Sequence, residues 1–318
     1  MNLLINHSDY LHDLRKALWG NDSSFKETII YALLDGASSN KIFPMLKQSG
    51  LRFNCLYEGK LSYDMELSAP YLVRLEEDSE FARELFLKSS GKNWCIFFKT
   101  FKPVTMLSIL RLARRNHKIL TPDNKQLIFR FFDPRILRSY IPSCTIKEAN
   151  VFFGPIDEII CEGSEPCTIH KFSRTDHGVL DLNVIDLQKS KISKEPYENK
   201  IGDLKSLTIR QEQLDILSKS MLPPFFKKIS EYVINEYPDF ALHKKDKLMS
   251  WVEETYNQAI EYGLKTERDH YKFVNYKCIF GNDFMEAYDF AAPIMKTSAK
   301  PGLKLVRLKD AFMEYLNS

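Results

Sequence analysis

Trp94-Cys95-Ile96-Phe97-Phe98-Lys99 is the stretch on which the fold turns. It is short, aromatic and apolar, rich in residues that suit a pleated buried surface, and it predicts a β-strand. Upstream, residues 28–34 (TIIYALL) read as another buried strand that stops at the turn signal Asp35-Gly36. Residues 51–57 and 70–75 (PYLVRL) are further strand candidates. Helices fit between them. One covers 42–48, with Gly50 just past its end; another covers 81–88, with Phe81 and Leu85 on one face and Gly91 as its stop. Downstream, Pro103 opens a helix whose apolar side is Met106, Leu107, Ile109, Leu110 and Ala113. Thr121-Pro122-Asp123-Asn124 then separates 119–120 from 126–132, which predicts a hairpin. Residues 156–161 close the series as a short strand. Strands interspersed with helices predict an α/β lobe with a mixed sheet.

The texture changes after residue 163. Residues 164–206 are richer in Lys, Ser, Asp and Asn, and read as a polar linker with room for a hairpin, since 179–187 alternates as a strand does. The remainder reads as helix. Thr208 and Gln211 form a capping-box pattern, and Leu214, Leu217 and Met221 carry the stripe that follows. Pro223-Pro224 is expected to break that helix and start another, ended in turn by Pro238. Further stripes run through Trp251, Val252 and Ala259, then Phe273 and Val274, with a last helix over 306–316. The expected fold class is therefore α+β or α/β. A mixed α/β lobe at 1–163 and a linker at 164–206 precede an all-helical lobe at 207–318.

A formal net charge of +3 gives no general drive toward nucleic acid. No apolar run approaches the roughly 18 residues of a membrane span, and the N-terminus lacks the pattern of a signal peptide. Several of the six cysteines sit in apolar runs, and no dense disulfide framework appears. A reducing cytoplasm is the expected location.

The search for chemistry gives little. Asp35 follows a buried strand, where α/β enzymes often place a catalytic carboxylate. The competing reading is a turn aspartate bonding its own backbone, with Gly36 supplying a positive φ. No glycine-rich phosphate loop and no Gly-x-Ser-x-Gly elbow is present. Cys161, Cys167, His170 and His177 match no standard zinc spacing. Arg111, Arg114, Arg115, His117 and Lys118 read as a solvated helix end, or else as a patch for an acidic partner. Arg130-Phe131-Phe132-Asp133-Pro134-Arg135 places two arginines around an aspartate just before a helix start. An internal ion pair or cap is one reading. A rigid polar knob for a protein partner is the other, since the planar guanidinium bonds bidentately.

The order of motifs carries more than any one of them. Tyr31-Ala32-Leu33-Leu34-Asp35-Gly36-Ala37 is followed by Leu56-Tyr57-Glu58-Gly59 and Ala69-Pro70-Tyr71-Leu72-Val73-Arg74-Leu75. Then come Trp94-Cys95-Ile96-Phe97, Arg130-Phe131-Phe132-Asp133-Pro134-Arg135-Ile136-Leu137 and Phe152-Phe153-Gly154-Pro155-Ile156. The series resembles the domain of unknown function that defines the type VI secretion adaptors, called Tap or Tec. The tail motifs Pro223-Pro224-Phe225-Phe226 and Phe280-Gly281-Asn282-Asp283-Phe284 agree with it. The polar stretch before residue 206 is a departure, longer than the usual join. The resemblance implies a cytoplasmic, non-enzymatic chaperone with no cofactor or metal, which binds a cognate secreted effector and loads it onto the VgrG spike. The runner-up is an α/β enzyme with an inter-lobe cleft and a strand-end carboxylate, Asp35 or Asp133. Partner contacts are expected at Asp35, Arg130, Asp133 and Arg135 in the first lobe. In the tail they are expected at Phe225, Phe226, Tyr232 and Tyr256, because aromatic anchors supply much of the energy of protein interfaces.

Overall fold

The structure is a computed structural model and describes residues 7–20, 28–174, 180–187, 191–195 and 208–317. The chain divides into two compact units between Ser220 and Met221. The first begins with α1 (His7–Trp19), β1 (Ile29–Asp35), α2 (Ile42–Gln48), β2 (Phe53–Cys55), α3 (Tyr63–Ser68) and β3 (Pro70–Leu75). It continues through α4 (Glu80–Ser89), β4 (Cys95–Thr100), α5 (Met106–His117), β5 (Lys118–Leu120) and β6 (Gln126–Ile128). Then follow α6 (Pro134–Tyr140), α7 (Ile146–Phe153), β7 (Glu158–Glu162), β8 (Thr168–Arg174), β9 (Leu180–Asp186) and β10 (Lys191–Glu195).

Eight of the strands form one sheet in the order β10-β9-β8-β7-β4-β1-β3-β2, and β5 and β6 form the expected hairpin apart from it. Strand side chains alternate between the two faces, and here both faces are covered. Tyr31, Leu33, Leu72, Ile96, Phe98 and Ile159 meet α5, α6 and α7. Ile30, Ala32, Leu34, Val73, Phe97 and Ile160 meet α1, α2 and α4. Burial on both sides is why the central strands read as unbroken apolar runs rather than as alternation.

Every pairing in the sheet is antiparallel, which corrects the expected mixed sheet. The reason lies in β3 and β4. They run the same way, joined by α4, but β1 lies between them and pairs antiparallel with both. Helices between strands in sequence therefore do not make the hydrogen-bonded neighbours parallel.

Residues expected to form a linker with room for a hairpin supply β8, β9 and β10, which extend the sheet from β7; β9 falls on the alternating stretch 179–187. Phe172 and Leu182 enter one core face, Ile169 and Leu187 the other, and these few contacts seat otherwise polar strands. Other parts of that stretch, at 175–179, 188–190 and 196–207, lie outside the described residues.

Helix α8 (Gln211–Glu236) begins two residues later than the Thr208 pattern implies. Thr208 forms a parallel bridge with Leu120, and the Gln213 side chain accepts the Arg210 N–H at 3.0 Å. Pro223 and Pro224 lie inside α8 rather than ending it. A proline removes one rung of the helical ladder, but a helix with packed residues on either side survives the loss.

The second unit takes the rest of α8 with α9 (Pro238–Lys244), α10 (Leu248–Glu261), α11 (Glu267–Phe280), α12 (Phe284–Ala287), α13 (Ala291–Lys296) and α14 (Pro301–Asn317). Thr266 caps α11 by accepting from Asp269 N–H. Two ring-rich clusters form its core, one around Phe225, Phe226 and Trp251 and one around Phe273, Phe284 and Phe312. No described helix is long and apolar enough to cross a membrane.

Candidate functional site

The motifs singled out in the first half converge at one end of the sheet. Asp35 is the last residue of β1, and its N–H bonds the Trp94 carbonyl at the entry to β4. Its buried carboxylate accepts from Ala37 N–H at 3.3 Å and Ser38 Oγ at 2.9 Å. This is the turn-aspartate geometry. Gly36, however, does not take a positive φ. Glycine is required there because a Cβ would lie 2.3 Å from the Ala69 carbonyl oxygen and 2.7 Å from that of Leu67.

Arg130, in the segment leading to α6, donates from Nη2 to Asp35 Oδ2 at 2.5 Å. Three residues on, Asp133 caps α6 by accepting the Arg135 N–H at 2.9 Å. Arg135 folds back bidentately, Nε to Oδ1 at 2.9 Å and Nη2 to Oδ2 at 2.6 Å. That bond holds the Arg135 pKa above its ordinary value against the opposing effect of burial, and the charges of Asp133 and Asp35 add to it. Both aspartates are buried, whereas the Arg130 and Arg135 side chains keep 42% and 30% of their surface open. The result is two guanidinium groups anchored from below and presented outward.

Sequence reasoning missed the rest of the cluster. Arg138 lies one turn beyond Arg135 on α6 and donates to Asn93 Oδ1 and to the Glu162 carbonyl. The Glu162 carboxylate, at the end of β7, accepts from Gly91 N–H and Asn93 N–H. Burial pushes the Glu162 pKa up, and these bonds with the Arg138 and Lys92 charges pull it back. Burial also raises the Tyr57 phenol, with Arg130 opposing and Asp35 reinforcing it. The three-residue spacing of Arg135 and Arg138 on a helix was a signal that they share a face. Nothing local announced Asn93 or Glu162.

Chemically, this arrangement is a set of satisfied ion pairs. The Asp35 and Asp133 carboxylates are both taken up by donors, which favours the anchoring reading over that of a strand-end base.

The basic cluster on α5 is not a solvated helix end. Arg114 donates to the carbonyls of Leu56 and Cys55 at 3.0 and 2.9 Å and to Glu58. Arg115 reaches the Val151 carbonyl, and His117 is buried with Nδ1 against the Phe129 carbonyl. Only Arg111 and Lys118 of the set face outward without such a tie, and Lys118 lies 4.0 Å from Glu58.

The four tail aromatics belong to one ring-rich cluster inside the second unit. Phe225 and Phe226 are buried in its core, and Tyr256 packs on both and stacks on His270 with centroids 4.5 Å apart. Tyr232 donates to Asn275 Oδ1 at 2.9 Å. These rings hold helices together rather than standing on an open surface. Of the cysteine and histidine set weighed for zinc, Cys161 and His170 are cross-strand partners, Cys167 precedes β8, and His177 lies outside the described residues. Among the described residues no three His, Cys, Asp or Glu side chains gather as a metal site.

A helix-covered antiparallel sheet with paired aspartates and arginines at one end thus defines the first unit. Within it, residues 30–150 match the family described as a domain of unknown function, DUF4123, so a DUF4123 domain is present. No curated protein and no solved structure matches the chain.

Proposed function

We propose that this protein is a non-enzymatic adaptor chaperone of type VI secretion, acting in the cytoplasm to bind a cognate effector and load it onto the VgrG spike. The observation that carries the reading is the DUF4123 domain at 30–150, which spans five of the six ordered motifs and ends just before the sixth. The site is compatible with such a role. Arg130 and Arg135 are fixed by buried carboxylates, so little side-chain entropy is lost when a partner's carboxylates or carbonyls meet them. Aromatic anchors on the tail are no longer part of the proposal, because Phe225 and Phe226 are core residues.

Co-expression of the tagged full chain with the effector and VgrG encoded beside its gene tests the reading. Both are expected to co-purify, and Arg130→Glu with Arg135→Glu is expected to release at least one. A well-folded monomer that retains neither protein would refute the adaptor role.

A further inference from the structure

A second cationic feature lies away from the paired cluster. Where β2 ends the sheet, a groove of about 470 Å³ opens beside the start of α5. Arg52, on the approach to β2, and Arg74 of β3 line it, together with Leu51, Met106 and Leu107. Arg74 lies opposite Tyr31 in the β1–β3 register, so it rises from the same face that α5 covers. Both arginines are exposed, and neither has an ion pair or side-chain hydrogen bond among the described residues. This contrasts with Arg114, Arg130, Arg135 and Arg210, each held by a carboxylate.

Two more observations give the groove a sign and a texture. Helix α5 has no acidic residue in its first turn, so the positive end of its dipole is not neutralised locally. Glu76 is the one carboxylate lining the groove, and it makes no ion pair with Arg74 among the described residues. Leu107 is 53% exposed, and with Leu51 and Met106 it makes one wall apolar. A bare phosphate would use the charges but not this wall. A chain that alternates carboxylates with aliphatic side chains uses both.

We infer that this groove docks a short acidic, leucine-rich segment of a partner protein, its carboxylates on Arg52 and Arg74 and an aliphatic side chain on Leu107 and Met106. The inference rests on the adaptor reading only in taking a protein as the source of that segment.

The test is fluorescence anisotropy on the full chain with a fluorescein-labelled hexapeptide of alternating leucine and aspartate. Wild type should bind it, with affinity that falls as salt rises. Arg52→Glu with Arg74→Glu should weaken it by tenfold or more, while Arg83→Glu, an exposed arginine on α4 over the opposite face, should change nothing. Leu107→Asp should weaken it independently. Absence of binding up to about 1 mM would overturn the inference, since that is the floor of weak specific association. Equal binding by the double variant, or by an alternating leucine and lysine peptide, would overturn it too. Complete displacement by millimolar inorganic phosphate with no effect of Leu107→Asp would instead identify a simple anion site and reject the peptide. Each result reads the groove alone. Capture of an effector or VgrG can therefore fail while the peptide binds, or succeed while it does not.

Discussion

The two units bury charge in opposite ways. In the first, buried Asp35, Asp133 and Glu148 each meet an arginine, and Lys99 and Lys171 meet Glu158. In the second, buried Lys277 and Lys304 meet, among the described residues, neutral oxygens: the Asn282 side-chain amide at 3.2 Å and the Tyr262 carbonyl at 2.9 Å. Burial accordingly lowers the Lys277 pKa below its ordinary value, ahead of the mixed effects of nearby charges. Breaking a buried ion pair strands a charge, whereas removing a poorly compensated one can relieve the fold. Polar groups in the first unit therefore specify geometry, and those in the second are tolerated by a ring-rich core.

Substitutions sharpen that contrast. The largest effect is expected from Gly36→Ala, where the new methyl meets two backbone carbonyls that cannot retreat as a side chain would. A loss of about 4 kcal/mol, or failure to fold, is expected in urea unfolding of the full chain. A loss under about 1 kcal/mol would show that the Asp35 turn is not clamped against the segment before β3.

Next comes Asp133→Ala, which removes the α6 cap and the bidentate partner of Arg135 together. Allowing for the partial exposure of Arg135, we expect about 3 kcal/mol of destabilisation. Asp133→Asn should recover part of it through the cap alone.

Acidification gives the third. Burial pushes the His170 imidazole down to about 4, helped by the Arg138 charge, and its buried Nδ1 has no hydrogen-bond partner among the described residues. An unfolded histidine titrates near 6.5, so between these values the unfolded chain binds the proton and the folded chain does not. Stability is thus full above pH 7 and falls as the pH drops toward 4, by about 2 kcal/mol at pH 5 from this group. Burial lowers His117 and His270 in the same sense, so the His170 share is read as the flattening of the stability–pH curve in His170→Phe. A curve parallel to wild type would remove His170 from the account.

The smallest effect has the opposite sign. Lys277→Met keeps the volume and leaves Asn282 Oδ1 bonded to Trp251 Nε1 at 2.6 Å. Stability at pH 7 should be unchanged or higher by up to about 1 kcal/mol. A loss comparable to that of Asp133→Ala would erase the distinction between the units.

What could be read beforehand follows the range of the interactions. TIIYALL and WCIFFK were legible as strands because burial on both sheet faces demands continuous apolar runs. The hairpin was legible because Thr121 to Asn124 carry their own turn chemistry, with Asn124 at φ 59°. Strand β9 was legible in the alternation over 179–187, whereas β8 and β10 were hidden because a few core contacts and the neighbouring backbone suffice at the edge of a sheet. In the cluster, Asp35 and Arg130 were both named from sequence, but 95 positions separate them and no local pattern joins them. Arg114 was misread for the same reason, since the carbonyls it binds lie 58 and 59 positions away. Phe225 and Phe226 looked like anchors because core and interface use the same rings.

The paired prolines of α8 carry a last consequence. With no amide at 223 or 224, the carbonyls of Lys219 and Ser220 lack their usual partners four residues on, so two successive rungs are missing. Lys219 is also exposed on that turn. Brief exposure to trypsin should therefore nick the chain after Lys219 ahead of lysines within intact helices such as α10 and α11, leaving a C-terminal fragment that begins at Ser220 and contains the whole second unit.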